Sequence, residues 1–453
     1  MTARSLWADT AGPAPRRPPL QGDTTADVCV VGAGYTGLWT AYYLLQRDPS
    51  LDVLVVEAEH VGFGASGRNG GWCSALLPQG LESMAAGAGL PAARAMRAAM
   101  RETVDEVGRV VAAEGIDCGW RKGGTVVVAR SAAQLARARA EVAADEAAGS
   151  PEGLRLLDAA QTRARVGVSG AVGASWTPHC ARVHPLRLAR GLAAAAERAG
   201  ARIAEGTRAL SLAPGTVRTD RGTVRARHVL RATEAWTPAL PGSAREVVPV
   251  YSLVVATEPL PASFWERAGL AGGETFSDHR HVVVYGQRTA DDRLVFGGRG
   301  APYHFGSGVR PEFDTDDRVF ARLRATLADM FPGVAGARFT HAWGGPLGIA
   351  RDWHAAVRYD PATGLGGAGG YVGDGVSTTN LAGRTLADAV TGTGSGLLRL
   401  PWFGHRSPRW EPEPLRWLGV NAGLLLARSA DAAEQRLGRP TPLSAALARL
   451  TAH

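Results

Sequence analysis

The chain has 453 residues, 45% hydrophobic and 20% charged, with 50 Lys and Arg against 42 Asp and Glu. That length suits two or three folded units with a large core, and the balance is that of a globular protein rather than a disordered chain. The net charge of +8 comes almost wholly from arginines spread along the chain, with Lys122 the only lysine; this excludes the concentrated basic face that nucleic acid requires and leaves a modest pull on anionic substrates.

Residues 1–25 read as an extended arm rich in Pro and Gly, and Pro13–Pro19 carries two arginines and no apolar core of a secretory signal. An apolar strand, Val28–Val31, follows and runs into Gly32-Ala33-Gly34-Tyr35-Thr36-Gly37. A helical run, Leu38–Gln46, leads to a second apolar run, Leu51–Val56, which ends on Glu57. From Leu81 to Ala148 the pattern is mostly helical, interrupted by a strand at Gly124–Ala129. Pro185–Ala199 is an amphipathic helix with proline in its first turn. Short strands are predicted at Arg202–Glu205 and Ala209–Leu212, a hairpin at Gly215–Thr219 and Gly222–Arg225, and a buried strand at His228–Ala232.

After Pro249 the strands lengthen and alternate: Tyr251–Thr257, then a hairpin of His281–Gln287 with Arg293–Gly298. Helices are predicted at Asp316–Met330, Val376–Val390 and Glu413–Arg436. The apolar run Leu418–Ala427 is too short to span a bilayer, and a cytoplasmic protein is expected. The four cysteines, Cys29, Cys73, Cys118 and Cys180, form no CxxC pair, so neither zinc nor any other metal is expected.

The stretch from Ala26 to Glu57 carries the most chemistry. Strand, glycine turn, helix, strand and acid stand at the spacing of a dinucleotide-binding βαβ unit. Gly32 permits the tight turn, Gly34 lets backbone approach a pyrophosphate, and Gly37 lets helix and strand pack closely. The helix N-terminus faces the phosphate charge, and Glu57 can hold a ribose. No second GxGxxG unit follows. The change of pattern along the chain suggests segments of a nucleotide domain interleaved with segments of an antiparallel-sheet domain.

Four stretches together resemble the FAD-dependent D-amino acid oxidase-like superfamily, and within it the γ-glutamylputrescine oxidase branch. They are ADVCVVGAGYTG through VVEA, GFGASGRNGGW at Gly62–Trp72, HVLRATEAWT at His228–Thr237, and GGYVGDGVSTTNLAGRTLAD at Gly369–Asp388. SLVVATEPL and DRLVFGGRG support them. The resemblance implies an α/β plus α+β architecture: a Rossmann-type, glutathione-reductase-like FAD domain with an interleaved antiparallel-sheet substrate domain. Its FAD segments would be 26–80, 166–245 and 346–400, its substrate segments 81–165 and 246–345, with an arm at 1–25 and a helical tail at 401–453.

The same resemblance assigns FAD to Gly32, Gly34, Tyr35, Thr36, Gly37, Glu57 and Ala58, to Ser66, Gly67, Arg68, Asn69, Gly70 and Gly71, to Thr233, and to Gly373, Gly375, Val376, Ser377 and Thr378. Glu234 stands where similar proteins carry Asn or Gly and is expected to point away from the phosphates. Ser377, Thr378 and Thr379 are expected to cap the last FAD helix, whose N-terminus would stabilise reduced, anionic flavin. Cys73 is a conceivable but disfavoured covalent attachment point.

The implied reaction is oxidation of the C–N bond of an amine or amino acid by hydride transfer to flavin, giving an imine that hydrolyses. Possible substrates include a γ-glutamyl polyamine, an N-methyl amino acid or an aminophosphonate, with oxygen or a quinone as electron acceptor. Alternatives are a D-amino or hydroxy acid dehydrogenase feeding a quinone, and a flavin subunit of a larger complex. Substrate contacts are expected from Tyr285, Trp343, Arg299 and His354, with Tyr251 also a candidate. Arg299 and Arg351 compete to hold a substrate carboxylate. Alternation would put His281, Val283, Tyr285 and Gln287 on one face. Lys122 has no feature that would bring it beside the flavin to assist oxygen.

Overall fold

The computed structural model describes residues 4–149 and 153–444; the outermost parts of the predicted arm and tail, 1–3 and 445–453, and residues 150–152 lie outside the described residues. Two large sheets organise the chain. The first has Thr24–Val31 near its centre, flanked by Thr223–Arg231 and Val53–Val56, then Arg202–Ala204 on one side and Leu365–Gly369 and Ala356–Asp360 on the other. The central strands are parallel, and Val30 sits opposite both Val55 and Leu230. Parallel strands are covered on both faces, which is why Val28–Val31 and Val53–Val56 are unbroken apolar runs and fully buried. Helices Tyr35–Arg47 and Pro185–Arg198 cover one face, while Ala209–Ala213 and Thr216–Thr219, joined as a meander to the in-sheet strand Thr223–Arg231, curl over the other.

The second sheet is mostly antiparallel. Its order is Phe339–Ala350, Val247–Thr257, Leu294–Arg299, Val284–Arg288, Thr275–Asp278, Thr125–Ala129, Gly173–Thr177 and Arg155–Leu157. Helices Ala262–Ala268 and Asp317–Met330 bury Phe264, Leu323 and Leu327 against it. The interleaving expected from the sequence is present, but its seams differ. Gly173–Thr177 pairs with Thr125–Ala129 and so belongs to the second sheet, although it was expected in a FAD segment. The Pro346–Ala350 end of its last strand does likewise. Conversely, helices Leu81–Ala88 and Leu90–Ala113, expected in the substrate domain, pack Met84, Met96 and Met100 against Leu381 and Leu386 of helix Gly375–Thr391. An apolar stripe says that a helix is covered on one side, not which lobe covers it.

The expected extended arm is also corrected. Leu6–Thr10 is a short helix capped by Ser5, whose hydroxyl accepts from the Ala8 N–H at 3.1 Å. Leu6 and Trp7 are buried, Trp7 lying edge-on to Trp343. The strand expected at His281–Gln287 is shorter, Val284–Arg288. His281 leaves the sheet because the Asp431 carboxylate accepts from the N–H groups of His281 and Val282 at 2.7 and 2.9 Å.

Helix Leu415–Leu437 is fastened through Glu434, which accepts from Arg137 at 2.8 Å. Burial pushes the Glu434 carboxyl up, but hydrogen bonds from Arg137, Ser444 and His281 outweigh it and hold it at about 2. A carboxyl lower in the folded than in the unfolded state adds stability above its unfolded value and loses it as pH falls toward its folded one. Glu434→Gln is therefore expected to cost about 2 kcal/mol at neutral pH, the difference shrinking as pH drops from about 5 toward 3 in urea unfolding curves. A difference independent of pH would contradict this reading.

Candidate active site

Strand Thr24–Val31 delivers Gly32 to the edge of the first sheet with φ 110°, where a Cβ would stand 2.6 Å from the Ala232 carbonyl oxygen. Only glycine turns the chain there without strain. A Cβ on Gly37 would lie 1.9 Å from the Gly32 carbonyl oxygen, so the helix rests directly on the turn. Gly34 is the N-cap and offers no capping side chain; the Tyr35 N–H is taken by Ser66 Oγ at 2.8 Å. Gly32, Gly34, Tyr35, Thr36 and Ser66 line a cavity of about 310 Å³. Glu57 and Ala58 line it too. The Glu57 carboxylate accepts from the N–H groups of Ala33 and Glu59 at 2.8 and 3.0 Å. Burial pushes Glu57 up, and those two N–H groups oppose it.

Thr233 and Trp236 form the far wall, with Thr207–Leu210 beside them. The last of these groups was missed, because it spans the start of the meander and the two residues before it, with no glycine turn of the nucleotide-binding kind. Glu234 also lines this cavity, and its carboxylate accepts from the N–H groups of Gly370 and Tyr371 at 3.0 and 3.3 Å. Burial lifts it to about 7, against those N–H groups. Gly373, Gly375, Val376 and Thr379 line the opposite end. The helix there starts after Asp374, which makes no side-chain cap bond. The expected capping by Ser377 and Thr378 is not found. Ser377 Oγ donates to the Ser74 carbonyl and Thr378 Oγ1 to the Asp374 carbonyl, and neither residue lines a cavity. Both sit inside the helix, where a hydroxyl turns to nearby carbonyls.

A second cavity, of about 370 Å³, opens from the first and shares Ala65, Asn69, Leu347, Gly373 and Val376 with it. Its other walls come from the second sheet, with Ser252, Val254, Val284, Tyr285 and Arg299, and from Arg68, Gly70, Trp72, Trp353 and Asp374. Tyr285 is bonded to Ser252 Oγ at 2.8 Å and stands over Gly70. Arg68 pairs with Asp314, and Arg299 donates to the Val372 carbonyl. Gln287 Nε2 donates to the Gly70 carbonyl at 2.7 Å and crowds Gly71, while Gly67 packs on Gly62 and Leu186. Gly37, Gly67 and Gly71 thus shape the walls without lining either cavity.

Of the predicted substrate contacts, Tyr285 and Arg299 reach the second cavity. Trp343 does not: its indole N–H donates to the Arg68 carbonyl at 2.9 Å and its ring is covered by Trp7. His354 is stacked on His405 at 3.9 Å, outside both cavities, because the turn at Trp353 sends the Trp353 ring inward instead. Tyr251 is bonded to the backbone of Arg310, and Arg351 pairs with Glu411 at 3.0 Å. Asp374, Trp72, Ser252 and Leu347 were missed. Asp374 and Trp72 stand inside the stretches that carry the resemblance and Ser252 opens the supporting stretch SLVVATEPL, whereas Leu347 carried no signal beyond alternation. All four cysteines are buried and line neither cavity, Cys73 included. Lys122 pairs with Asp105 and lines neither.

Two helix N-termini without a capping side chain converge on one glycine-floored cleft, which opens on a cavity walled by a second sheet. That is the arrangement of a flavoprotein oxidoreductase, and the cleft's residues are of a kind that would suit FAD: the Gly32–Thr36 turn would take the pyrophosphate, Glu57 the ribose, and the Gly375 helix start the flavin. The chain matches the family model described as FAD dependent oxidoreductase over residues 27–389, and it belongs to that family. It is 33% identical over 379 residues to gamma-glutamylputrescine oxidoreductase of Escherichia coli K12, covering 82% of this chain and 85% of that one. It is 30% identical over 416 residues to the probable oxidoreductase OrdL of Rhizobium meliloti, covering 88% and 92%. Glycine oxidase from Geobacillus kaustophilus shares the fold, with a TM-score of 0.69 at 22% identity over 85% of this chain and 99% of the other. The protein is an FAD-dependent oxidoreductase. No described helix is long and apolar enough to cross a membrane.

Proposed function

We propose that the protein oxidises the C–N bond of a small amine or amino acid that carries a carboxylate. FAD, when bound, supplies the two-electron acceptor. The carrying observation is the second cavity: largely apolar, contiguous with the cofactor cleft, and holding Arg299 at its wall. Arg299 uses one guanidinium nitrogen on the Val372 carbonyl and lies 5.9 Å from the Trp353 ring, leaving donors for a substrate carboxylate. Tyr285, Trp72 and Leu347 shape the space around the substrate and exclude water from it. The helix start at Gly375 directs partial positive charge toward the cleft, which favours electron-rich groups there. The likeness to gamma-glutamylputrescine oxidoreductase supports an amine, and γ-glutamyl polyamines, N-methyl amino acids and aminophosphonates are the substrates to try first.

The test is anaerobic mixing of the yellow holoprotein with a panel of such amines. Loss of the visible flavin band with at least one is the expected result; a band untouched by every amine and amino acid would sink the proposal. An acceptor other than oxygen is a second reading, favoured because no lysine among the described residues lines either cavity. Dye reduction by the amine-reduced protein without hydrogen peroxide would support it, and rapid peroxide formation would exclude it.

A further inference from the structure

We propose that Asp374 receives the substrate's ammonium in the second cavity and takes its proton, delivering the amine to oxidation as the neutral base. This rests on the amine reading above and names the form in which the amine enters. Asp374 is the only carboxylate among the described residues that line this cavity. It stands at the N-cap of helix Gly375–Thr391, where an aspartate ordinarily accepts from the N–H groups of the first turn. Here it makes no such bond. Among the described residues its side chain forms no hydrogen bond and no ion pair. Its backbone carbonyl instead accepts from Thr378 Oγ1.

An unpaired carboxylate in a cavity also lined by Val254, Val284, Leu347 and Val376 is costly, and a cation of the right size relieves that cost. Among the described residues no cation of the protein forms an ion pair with Asp374. Arg299 is held on the Val372 carbonyl and Arg68 on Asp314. The titratable or charged groups facing Asp374 are Arg299 and Arg68, Tyr285 across the cavity, and the buried Cys180 behind it. Burial pushes Asp374 up to about 6, against the pull of Arg299. The carboxylate is therefore available at neutral pH and becomes a competent base once paired with an ammonium away from water. In the step itself an N–H bond breaks and an O–H bond forms on the Asp374 carboxylate. The electron pair stays on nitrogen, and no oxidant is consumed.

The holoenzyme is expected to show kcat/KM falling below about pH 6 and level from there to the pKa of the free amine. An enzyme that took only neutral amine from solution would instead gain tenfold per pH unit across that range. Asp374→Asn, which keeps the size of the side chain and removes its charge, is expected to show this second profile and to lose about 100-fold at neutral pH; Asp374→Glu should restore the level profile. Binding gives a readout free of turnover. tert-Butylammonium has no hydrogen on the carbon next to nitrogen and is not oxidised; perturbation of the flavin spectrum reports its binding. Its affinity at neutral pH should fall about tenfold or more in Asp374→Asn.

A yellow Asp374→Asn protein with the wild-type profile and wild-type affinity for tert-butylammonium overturns the role of Asp374 and leaves the amine reading intact. A wild-type flavin that no amine reduces overturns the amine reading itself. Should Asp374→Asn lose FAD, the wild-type profile decides, and a tenfold rise per pH unit above about pH 6 overturns the proposal.

Discussion

Gly37→Ala is expected to abolish FAD retention. The added methyl would lie 1.9 Å from the Gly32 carbonyl oxygen and 3.2 Å from Val30 Cγ1. The first obstacle is backbone and cannot swing aside, so helix Tyr35–Arg47 must lift from the strand. That helix has little freedom to move, because Gly383 of helix Gly375–Thr391 lies against its Trp39, where a Cβ would meet Trp39 Cβ at 2.6 Å. Lifting it also displaces Tyr35 and Thr36, which line the cofactor cleft. A loss of about 3 kcal/mol is expected, at the upper end for overpacking. Urea unfolding measures it, and visible absorbance per chain measures retained FAD. Gly87→Ala is the control, since nothing lies within 4 Å of its added methyl and alanine favours the helix. A Gly37→Ala protein that is fully yellow and as stable as wild type would refute this account of the turn.

Arg299→Ala is expected to lower kcat/KM for a carboxylate-bearing amine by about 100- to 1000-fold, mainly through KM, as for a buried charge pair that loses one partner. Arg299→Lys keeps the charge but not the paired donors and should fall between. An amine of similar size without a carboxylate should lose little from either change. Equal losses on both amines would show that Arg299 acts through the Val372 carbonyl, not through the substrate.

The cofactor half of the site was legible because its chemistry is local. A strand, a glycine turn and a helix start need only neighbouring residues, and Gly32, Gly34, Thr36 and Glu57, singled out by their spacing, line one cleft. The substrate half depends on contacts between distant residues. Trp343 shares a sheet face with Gly345, which does line the second cavity, yet Trp7 covers its ring. The five residues Leu6–Thr10 gave too little periodicity against a Pro- and Gly-rich background to announce a helix. His281 was misplaced by the Asp431 carboxylate, 150 positions away. Asp374 lay in plain sight between two glycines, but an aspartate before a helix reads first as a cap, and only the geometry shows the cap bond missing.

The first helix also bears on how the protein is made. Trp7 donates to the Asn69 carbonyl at 2.8 Å, bracing the loop that carries Ser66 and Arg68, and it leans on Trp343. On a ribosome adding roughly 5–20 residues per second, Trp7 emerges tens of seconds before Trp343 exists. Its seat is therefore built late, and the loop it braces reaches final form only when the second sheet closes. Nascent chains are thus expected to load their cofactor late, as one of the final acts of maturation.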